Sequence, residues 1–275
     1  MYTRRSGYPY ATPDAMKEGC TKLLIRTVDT DVVVLAVTLA HLLAIPEMWV
    51  AFGAGKYFRC LPAHEIAKTL GPQRCEGLPM FHAFTGCDSV SFFGGRGKRT
   101  AWNVWQSFDE VTQAFISLTM TPETIHALMP ELERFVILLY DITSTKEKVN
   151  EGRKELFTQK GRAMEGLPPT EAALTQHTKR AAYQAGHIWG QMAISAPEIP
   201  SPKDWGLKWN PGSQTWEAVW TTLPEATKAC RELQCCSCKP EKGCRGHCKC
   251  MDAALTCTVL CKCQGQCQYN NDYSA

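Results

Sequence analysis

The sequence predicts an α/β domain with a parallel sheet, a helical second half and a small, irregular cysteine-rich module at the C-terminal end. Three observations support this prediction. Strand-like and helix-like segments alternate over residues 22–70, helical periodicity dominates residues 78–136, and ten of the fifteen cysteines fall within residues 235–267. Alternating strands and helices are typical of α/β layers, because the crossover helices cover the faces of a parallel sheet.

The bulk composition is that of a globular protein. Hydrophobic residues make up 44% of the chain and charged residues 21%, which is enough apolar material to bury a core. The net charge is only +3, so any basic surface must be local. The longest apolar run, Val32 to Ile45, is shorter than the roughly 20 residues that cross a bilayer, and the N-terminus lacks the apolar segment of a secretory signal. We therefore expect an intracellular protein without a membrane partner.

The elements of the first half follow in a regular order. Pro9 and Pro13 predict irregular chain over residues 1–20. Apolar segments predict strands over 22–28 and 47–52, a helix over 32–43 capped by Thr30 or Asp31, a third strand over 56–61 and a helix over 63–70 that Pro62 opens.

Helices and a tryptophan-bearing segment fill the second half. Helical patterns cover residues 78–136, 133–163 and 170–189. Trp102 and Trp105, at i, i+3 spacing, are expected in the core. Trp205, Trp209, Trp216 and Trp220 are expected to pack a small subdomain, with a peptide-binding groove as the alternative. The predicted organisation is a domain over 20–140, a helical extension and linker over 141–204, a connecting segment over 205–232 and a cysteine-rich module over 235–270.

Nine cysteines of the tail are spaced as metal ligands. They are Cys236, Cys238, Cys244, Cys248, Cys250, Cys257, Cys261, Cys263 and Cys267. Zinc takes four tetrahedral ligands and prefers thiolates in structural sites. Nine thiolates serve three ions only if three sulfurs bridge, so the spacing predicts a compact cluster of about three zincs that folds only with metal. Cys235 is an additional cysteine outside this pattern.

The spacing from Cys236 to Cys267 resembles the CXC domain of the tesmin family. This resemblance implies a three-zinc, nine-cysteine module that binds DNA in the minor groove, and hence a nuclear rather than cytoplasmic protein. Five cations outnumber two carboxylates in this segment, which suits phosphate contacts. The cations are Lys239, Lys242, Arg245, Lys249 and Lys262, of which Lys239, Arg245 and Lys249 are the predicted nucleic-acid contacts. His247 stands where the family often has tyrosine, so a zinc-stapled module that binds protein stays an alternative.

Three aspartates are candidate metal ligands in the first half. Asp29 and Asp31 directly follow an apolar strand, and Asp88 ends the segment Thr85-Gly86-Cys87-Asp88. Open α/β sheets bind ligands at the carboxyl ends of their strands, and Mg²⁺ or Mn²⁺ prefers carboxylate oxygens. The pattern therefore predicts a Mg or Mn site at these three residues. The structural alternative for the Asp-x-Asp pair is a helix cap or a loop.

A glycine-rich, basic turn follows Asp88. It contains Gly95, Gly97 and the cations Arg96, Lys98 and Arg99, and it opens a predicted helix near residue 100. Backbone N–H groups and cations at such a turn suit a phosphate. Alone, this pattern is more often just a turn.

In this order, the aspartates and the turn resemble the latter half of a flap-endonuclease-like PIN domain, over roughly residues 20–140. The segments that carry the resemblance are Val28-Asp29-Thr30-Asp31-Val32, Gly86-Cys87-Asp88 and Gly95-Arg96-Gly97-Lys98-Arg99-Thr100-Ala101. It implies a parallel sheet, a turn that grips the DNA backbone and metal-dependent phosphodiester hydrolysis. The family's earlier aspartate and glutamates have no counterpart before Asp29, which implies a truncated domain. The whole chain also resembles the C-terminal part of transposon-related animal proteins that join this half to a cysteine-rich end.

Three functions follow from these features. The first is nucleic-acid binding without catalysis, to DNA rather than RNA. The second is a Mg²⁺-dependent, structure-specific nuclease that uses Asp29, Asp31 and Asp88. The third is a scaffold that binds protein through the zinc module and the tryptophan segment. The missing upstream carboxylates favour the first function over the second, because two-metal hydrolysis needs carboxylates for both ions.

Overall fold

A computed structural model describes residues 2–4 as backbone, residues 19–158, 166–194 and 197–221, and, in the tail, residues 235–239, 248, 250, 257–259 and 261–265. The chain divides into two compact units, Met1–Thr221 and Thr222–Ala275. The four segments predicted from the sequence are finer than this division and stay predictions.

A four-stranded sheet lies in the first unit. Its strands are β1 (Tyr2–Arg4), β2 (Lys22–Thr27), β3 (Glu47–Phe52) and β4 (Arg59–Pro62), in that spatial order. The first three strands are parallel, as predicted, but β4 pairs antiparallel with β3. The short connection between β3 and β4 explains this difference, because a parallel pair needs a crossover of about a dozen residues or more. Strand β1 also lies where the sequence predicted irregular chain.

Eight α-helices are present in the described part of the chain, which confirms a mixed α/β class. They are α1 (Thr30–Leu42), α2 (Ala63–Leu70), α3 (Pro72–Phe84), α4 (Lys98–Ser107), α5 (Val111–Met120), α6 (Ile125–Tyr140), α7 (Val149–Thr158) and α8 (Glu171–Ala182). Helix α8 continues as a π-helical turn, Tyr183–Ile188. Among the described residues, no helix has both the length and the apolar character needed to span a membrane.

The helix predicted over 133–163 is in fact two helices. Helix α6 ends at Tyr140, and α7 begins at Val149. Between them, the Asp141 carboxylate accepts hydrogen bonds from the backbone N–H and the hydroxyl of Thr143. Such local side-chain bonds turn the backbone and compete with helix continuation.

Helix α3 forms the centre of the core. It contacts α1, α5 and α8, and its second half, from Leu78 to Phe84, is buried throughout. Phe81 stacks on Trp105 with ring centroids 4.6 Å apart. Trp105 is fully buried, and its indole N–H donates to the Thr112 hydroxyl at 2.9 Å. The predicted core position of Trp105 is therefore confirmed, and its one polar atom is satisfied.

The tryptophan-bearing segment forms a β-hairpin within the first unit. Its strands are β5 (Leu207–Asn210) and β6 (Thr215–Ala218). The Arg180 guanidinium donates to the carbonyl oxygen of Gly206 at 3.2 Å, which ties the hairpin to α8. Gly206 has φ +74°, and a Cβ there would lie 2.5 Å from the carbonyl oxygen of Gln176. Only glycine allows this close approach.

Candidate functional site

The cysteines of the second unit lie in two groups that share one residue. The sulfurs of Cys236, Cys250, Cys257 and Cys261 all lie within 4.8 Å of one another, and those of Cys236, Cys238 and Cys248 form the second group. A four-thiolate group and a three-thiolate group are thus joined at Cys236. The arrangement is a cysteine cluster that could hold zinc.

The sulfur separations match tetrahedral zinc coordination. Zinc–sulfur bonds of about 2.3 Å in a tetrahedron place the sulfurs about 3.8 Å apart. The Sγ–Sγ distance is 3.8 Å between Cys236 and Cys257, 3.6 Å between Cys250 and Cys261, and 3.9 Å between Cys248 and Cys257. Cys263 lies 3.6 Å from Cys236 by the same measure. These four separations are therefore close to those of thiolates that share one zinc ion.

The buried residues of the tail, as far as it is described, are all cysteines. Cys236, Cys248, Cys250, Cys261 and Cys263 are 4% exposed or less. Sulfurs alone supply little apolar area, so folding of this segment only with metal stays the prediction made from the sequence. Cys244 and Cys267 complete the predicted ligand set but lie outside the described residues, as do Arg245 and Lys249. Lys239 and Lys262 are exposed.

Local hydrogen bonds favour the thiolate form at one position of the cluster. Burial raises the pKa of Cys261, but the backbone N–H groups of Cys236 and Thr258 both donate to its sulfur at 3.4 Å and hold the pKa at about 6. Burial raises the pKa of Cys250 to about 12, with a further increase from its hydrogen bond to Cys261. Zinc must displace such protons, so zinc binding releases protons and weakens as the pH falls.

In the first unit, the acidic and glycine-rich motifs meet in a cleft of about 510 Å³. Asp31, His82, Asp88, Arg96 and Lys98 all line it. The N-terminus of α4, which has no side-chain cap, opens at this cleft through Gly97. The cleft therefore combines carboxylates, cations and free helix N–H groups.

Asp29 takes the structural role that the sequence left open. Its Oδ1 accepts the backbone N–H of Asp31 at 2.8 Å, which makes it the N-cap of α1 in place of the predicted Thr30 or Asp31. Asp29 is not among the residues that line the cleft. An aspartate that follows a strand and precedes a helix satisfies an orphan backbone N–H.

Asp31 is buried and paired with His82. The His82 Nε2 lies 2.8 Å from Asp31 Oδ1, and the two side chains are 7% and 10% exposed. The pair joins residues 51 positions apart, and no local pattern in the sequence predicts such a contact.

Lys98 is engaged with the end of helix α3. Its ammonium group donates to the His82 carbonyl oxygen at 2.8 Å and to the Thr85 hydroxyl at 3.0 Å. Burial lowers the pKa of Lys98 to about 8, against the opposing attraction of Cys87 and Asp31. Arg96 lies over the Tyr140 ring at 4.9 Å, and Arg99 is exposed. Of the three cations predicted to contact phosphate, Arg99 has the fewest competing contacts.

The three aspartates do not form a compact ligand group. Across the described residues, which include Asp29, Asp31 and Asp88, the sets of three or more potential ligands within 4.8 Å consist of cysteines alone. The Mg or Mn site and the roles of the three aspartates therefore stay predictions.

Comparison of the chain with family models, with curated protein sequences and with solved structures gives no match. The resemblances to the CXC and PIN-like families rest on the residues quoted for them.

Proposed function

We propose that the chain is a zinc-binding protein that binds nucleic acid, DNA rather than RNA, without cleaving it. The observation that carries the proposal is the sulfur geometry of the cysteine cluster, in which the sulfur of the shared Cys236 lies 3.8 Å from that of Cys257 and 3.6 Å from that of Cys263. Exposed Lys239 and Lys262 adjoin cysteines of the cluster in sequence and place positive charge beside it. A rigid, zinc-stapled surface with cations suits a nucleic-acid backbone.

The first unit supports the same proposal. Strand β2, the cap at Asp29, helix α1 and the turn before α4 follow in the order expected of the latter half of a PIN-like domain. Two of its carboxylates are already engaged, because Asp29 caps a helix and Asp31 pairs with His82. Carboxylates held in this way favour a binding role over a two-metal reaction, which needs ligands for both ions.

Metal analysis of the purified protein tests the zinc cluster. We expect about three zincs per chain and a loss of at least one in the Cys257→Ala/Cys261→Ala variant, because these two sulfurs belong to the four-thiolate group. Cys60→Ala is the matched control, since Cys60 is exposed and lies in the first unit. A chain that carries no zinc, or a double variant that keeps its full complement, would contradict the cluster.

Salt-dependent binding tests the nucleic-acid role. We expect the fluorescence anisotropy of a labelled duplex DNA to report binding that weakens with salt, because phosphate contacts release counterions. The Lys239→Ala/Lys262→Ala variant should lower the slope of log K against log salt by about 2. The control, Lys68→Ala/Lys154→Ala, removes two exposed lysines of the first unit. An equal slope in wild type and the Lys239/Lys262 variant would count against this surface.

A Mg²⁺-dependent nuclease is the second candidate, because Asp31 and Asp88 line one cleft together with the N-terminus of α4. Cleavage of DNA with Mg²⁺ that disappears in both Asp31→Asn and Asp88→Asn would replace the non-catalytic proposal. Cleavage that survives in either variant would point to a contaminant.

A further inference from the structure

Three clefts of the first unit share lining residues with one another. The cleft that contains Asp31 and Lys98 shares Phe92 with a second cleft of about 330 Å³. The second cleft shares Gln176 and Val219 with a third of about 430 Å³, which lies along the hairpin. The shared residues make the three clefts neighbours on the surface of the first unit, and together we call them the groove.

Exposed aromatic side chains line the groove along its length. Phe92, where the first two clefts meet, is 75% exposed, and Trp220 in the second cleft is 76% exposed. Trp209 and Trp216 line the third cleft and are 50% and 38% exposed. They pair across the hairpin, edge to face, with centroids 5.5 Å apart. Four large rings left in water add little to the core and offer stacking surfaces to a ligand.

The charge of the second and third clefts favours a polyanion, whereas the first cleft contains two carboxylates and two cations. The third cleft contains Lys179, Lys203 and Lys208 against one carboxylate, Asp204. Within the described part of the chain, no hydrogen bond or ion pair is made by the ammonium groups of these three lysines. The charged side chains that line the second cleft are Arg153 and Arg180. Uncommitted lysines beside exposed rings match alternating phosphates and bases.

We propose that the groove binds single-stranded nucleic acid, with unpaired bases stacked on Phe92, Trp220 and the hairpin tryptophans and with phosphates on the lysines. The proposal deepens the nucleic-acid-binding function and rests on it. Base faces are covered inside a duplex, so only unpaired bases can lie on these rings. A proline-rich peptide also docks on aromatic grooves, but it would leave the three lysines without a partner.

Binding of matched single-stranded and duplex oligonucleotides tests the proposal on the full, zinc-loaded chain. We use a labelled strand of about 16 nucleotides, the upper end of known site sizes. Trp220→Ala and Trp209→Ala should each weaken single-strand affinity about tenfold, as expected for one stacked base, and leave duplex affinity unchanged. Tyr57→Ala is the control, because Tyr57 is 74% exposed and lines none of the three clefts. Circular dichroism confirms that each variant folds.

Each outcome separates the groove from the wider proposal. Wild-type protein that binds nucleic acid while both tryptophan variants bind single strands equally well overturns the groove and leaves the proposed function intact. Absence of any binding by the wild type overturns both. A proline-rich peptide that binds more tightly than the oligonucleotide, and loses affinity in Trp209→Ala, overturns the nucleic-acid assignment and gives the groove to a protein partner.

Discussion

At the scale of single residues, Asp29 belongs to a candidate metal-binding motif but makes a structural hydrogen bond to the backbone. Its carboxylate caps α1 through the N–H of Asp31. We expect Asp29→Ala to lower the free energy of unfolding by about 1 kcal/mol, because the N–H loses its partner. Asp29→Asn keeps an oxygen acceptor and should lower the free energy of unfolding by at most a few tenths of about 1 kcal/mol. Urea denaturation of the three proteins checks this, and equal stabilities of the two variants would argue against a cap.

His177 makes stability depend on pH. It is buried, its Nε2 lies 2.8 Å from the Phe84 carbonyl oxygen, and its Nδ1 lies 3.1 Å from the Ser91 hydroxyl. Burial lowers its pKa from 6.5 to about 4. Between these values the unfolded chain binds more protons than the folded one, so stability is lost as the pH falls through this window.

We therefore expect the first unit to lose about 2 kcal/mol of unfolding free energy through His177 between pH 7 and pH 5. His177→Gln can keep both hydrogen bonds and does not titrate, so it should lack this part of the pH dependence. Urea unfolding of both proteins at the two pH values isolates the effect from other groups. Identical pH dependence in wild type and variant would show that the pKa of His177 is the same in the folded and the unfolded chain.

The sequence indicated these residues only in part. The position of Asp29 and Asp31 directly after a strand indicated a functional or structural role for their carboxylates. The sequence could not distinguish a helix cap from a metal ligand, because both roles place an aspartate at this position. The partner of Asp31 could not be predicted, because His82 approaches it through the packing of α3 against α1. Lys98 was expected to face phosphate, and its bonds to the end of α3 join residues 16 and 13 positions apart, which no local pattern predicts.

At the scale of elements, two glycines of the first cleft differ in how much space surrounds them. Gly86 has φ +107°, and a Cβ there would lie 2.7 Å from the Phe92 Cβ. Gly95 has φ +67° and no atom within 4 Å of an added Cβ. We expect Gly95→Ala to cost about 1 kcal/mol of stability through backbone strain, and Gly86→Ala about 3 kcal/mol because a clash adds to the strain. Thermal unfolding of both variants measures the difference, and a larger cost at Gly95 would be inconsistent with this packing.

Element boundaries were more predictable where periodicity was local. The strand predicted over 47–52 and the helix over 63–70 match β3 and α2 residue for residue. The antiparallel direction of β4 follows from the short connection that precedes it. The pattern of apolar residues, from which the strand was predicted, contains no information on strand direction. The break between α6 and α7 depends on the local hydrogen bonds of Asp141. The sequence pattern stays helical across this break, so it did not predict where α6 ends.

At the scale of the whole molecule, the two units are expected to depend on metal differently. The first unit buries large apolar side chains such as Trp105, Phe115 and Phe135, whereas the described tail buries only cysteines. A strong chelator should therefore unfold the second unit and leave the thermal midpoint of the first unit unchanged. Limited proteolysis after chelation should degrade the tail beyond Thr222 first. Loss of both units at the same chelator concentration would contradict this division.

The cysteine cluster could be predicted from the sequence, whereas the groove could not. Cysteine spacing is local information, and six of the nine predicted ligands lie in the two described sulfur groups. The groove draws its lining from residues 30–221, brought together by the packing of α8 and the hairpin. No spacing rule connects Phe92 with Trp220, so this surface could be found only in the folded chain.

The sulfur of Cys236 belongs to both cysteine groups. In the proposed cluster of about three zincs, ions that share a thiolate cannot exchange independently, because the first ion to bind orders the segment and holds the shared sulfur in place for the next. Zinc uptake should therefore be cooperative, and a zinc-poor cell would contain fully loaded and empty chains with few half-loaded ones. The second unit would then respond to the free zinc concentration over a narrow range, as a threshold rather than a gradient.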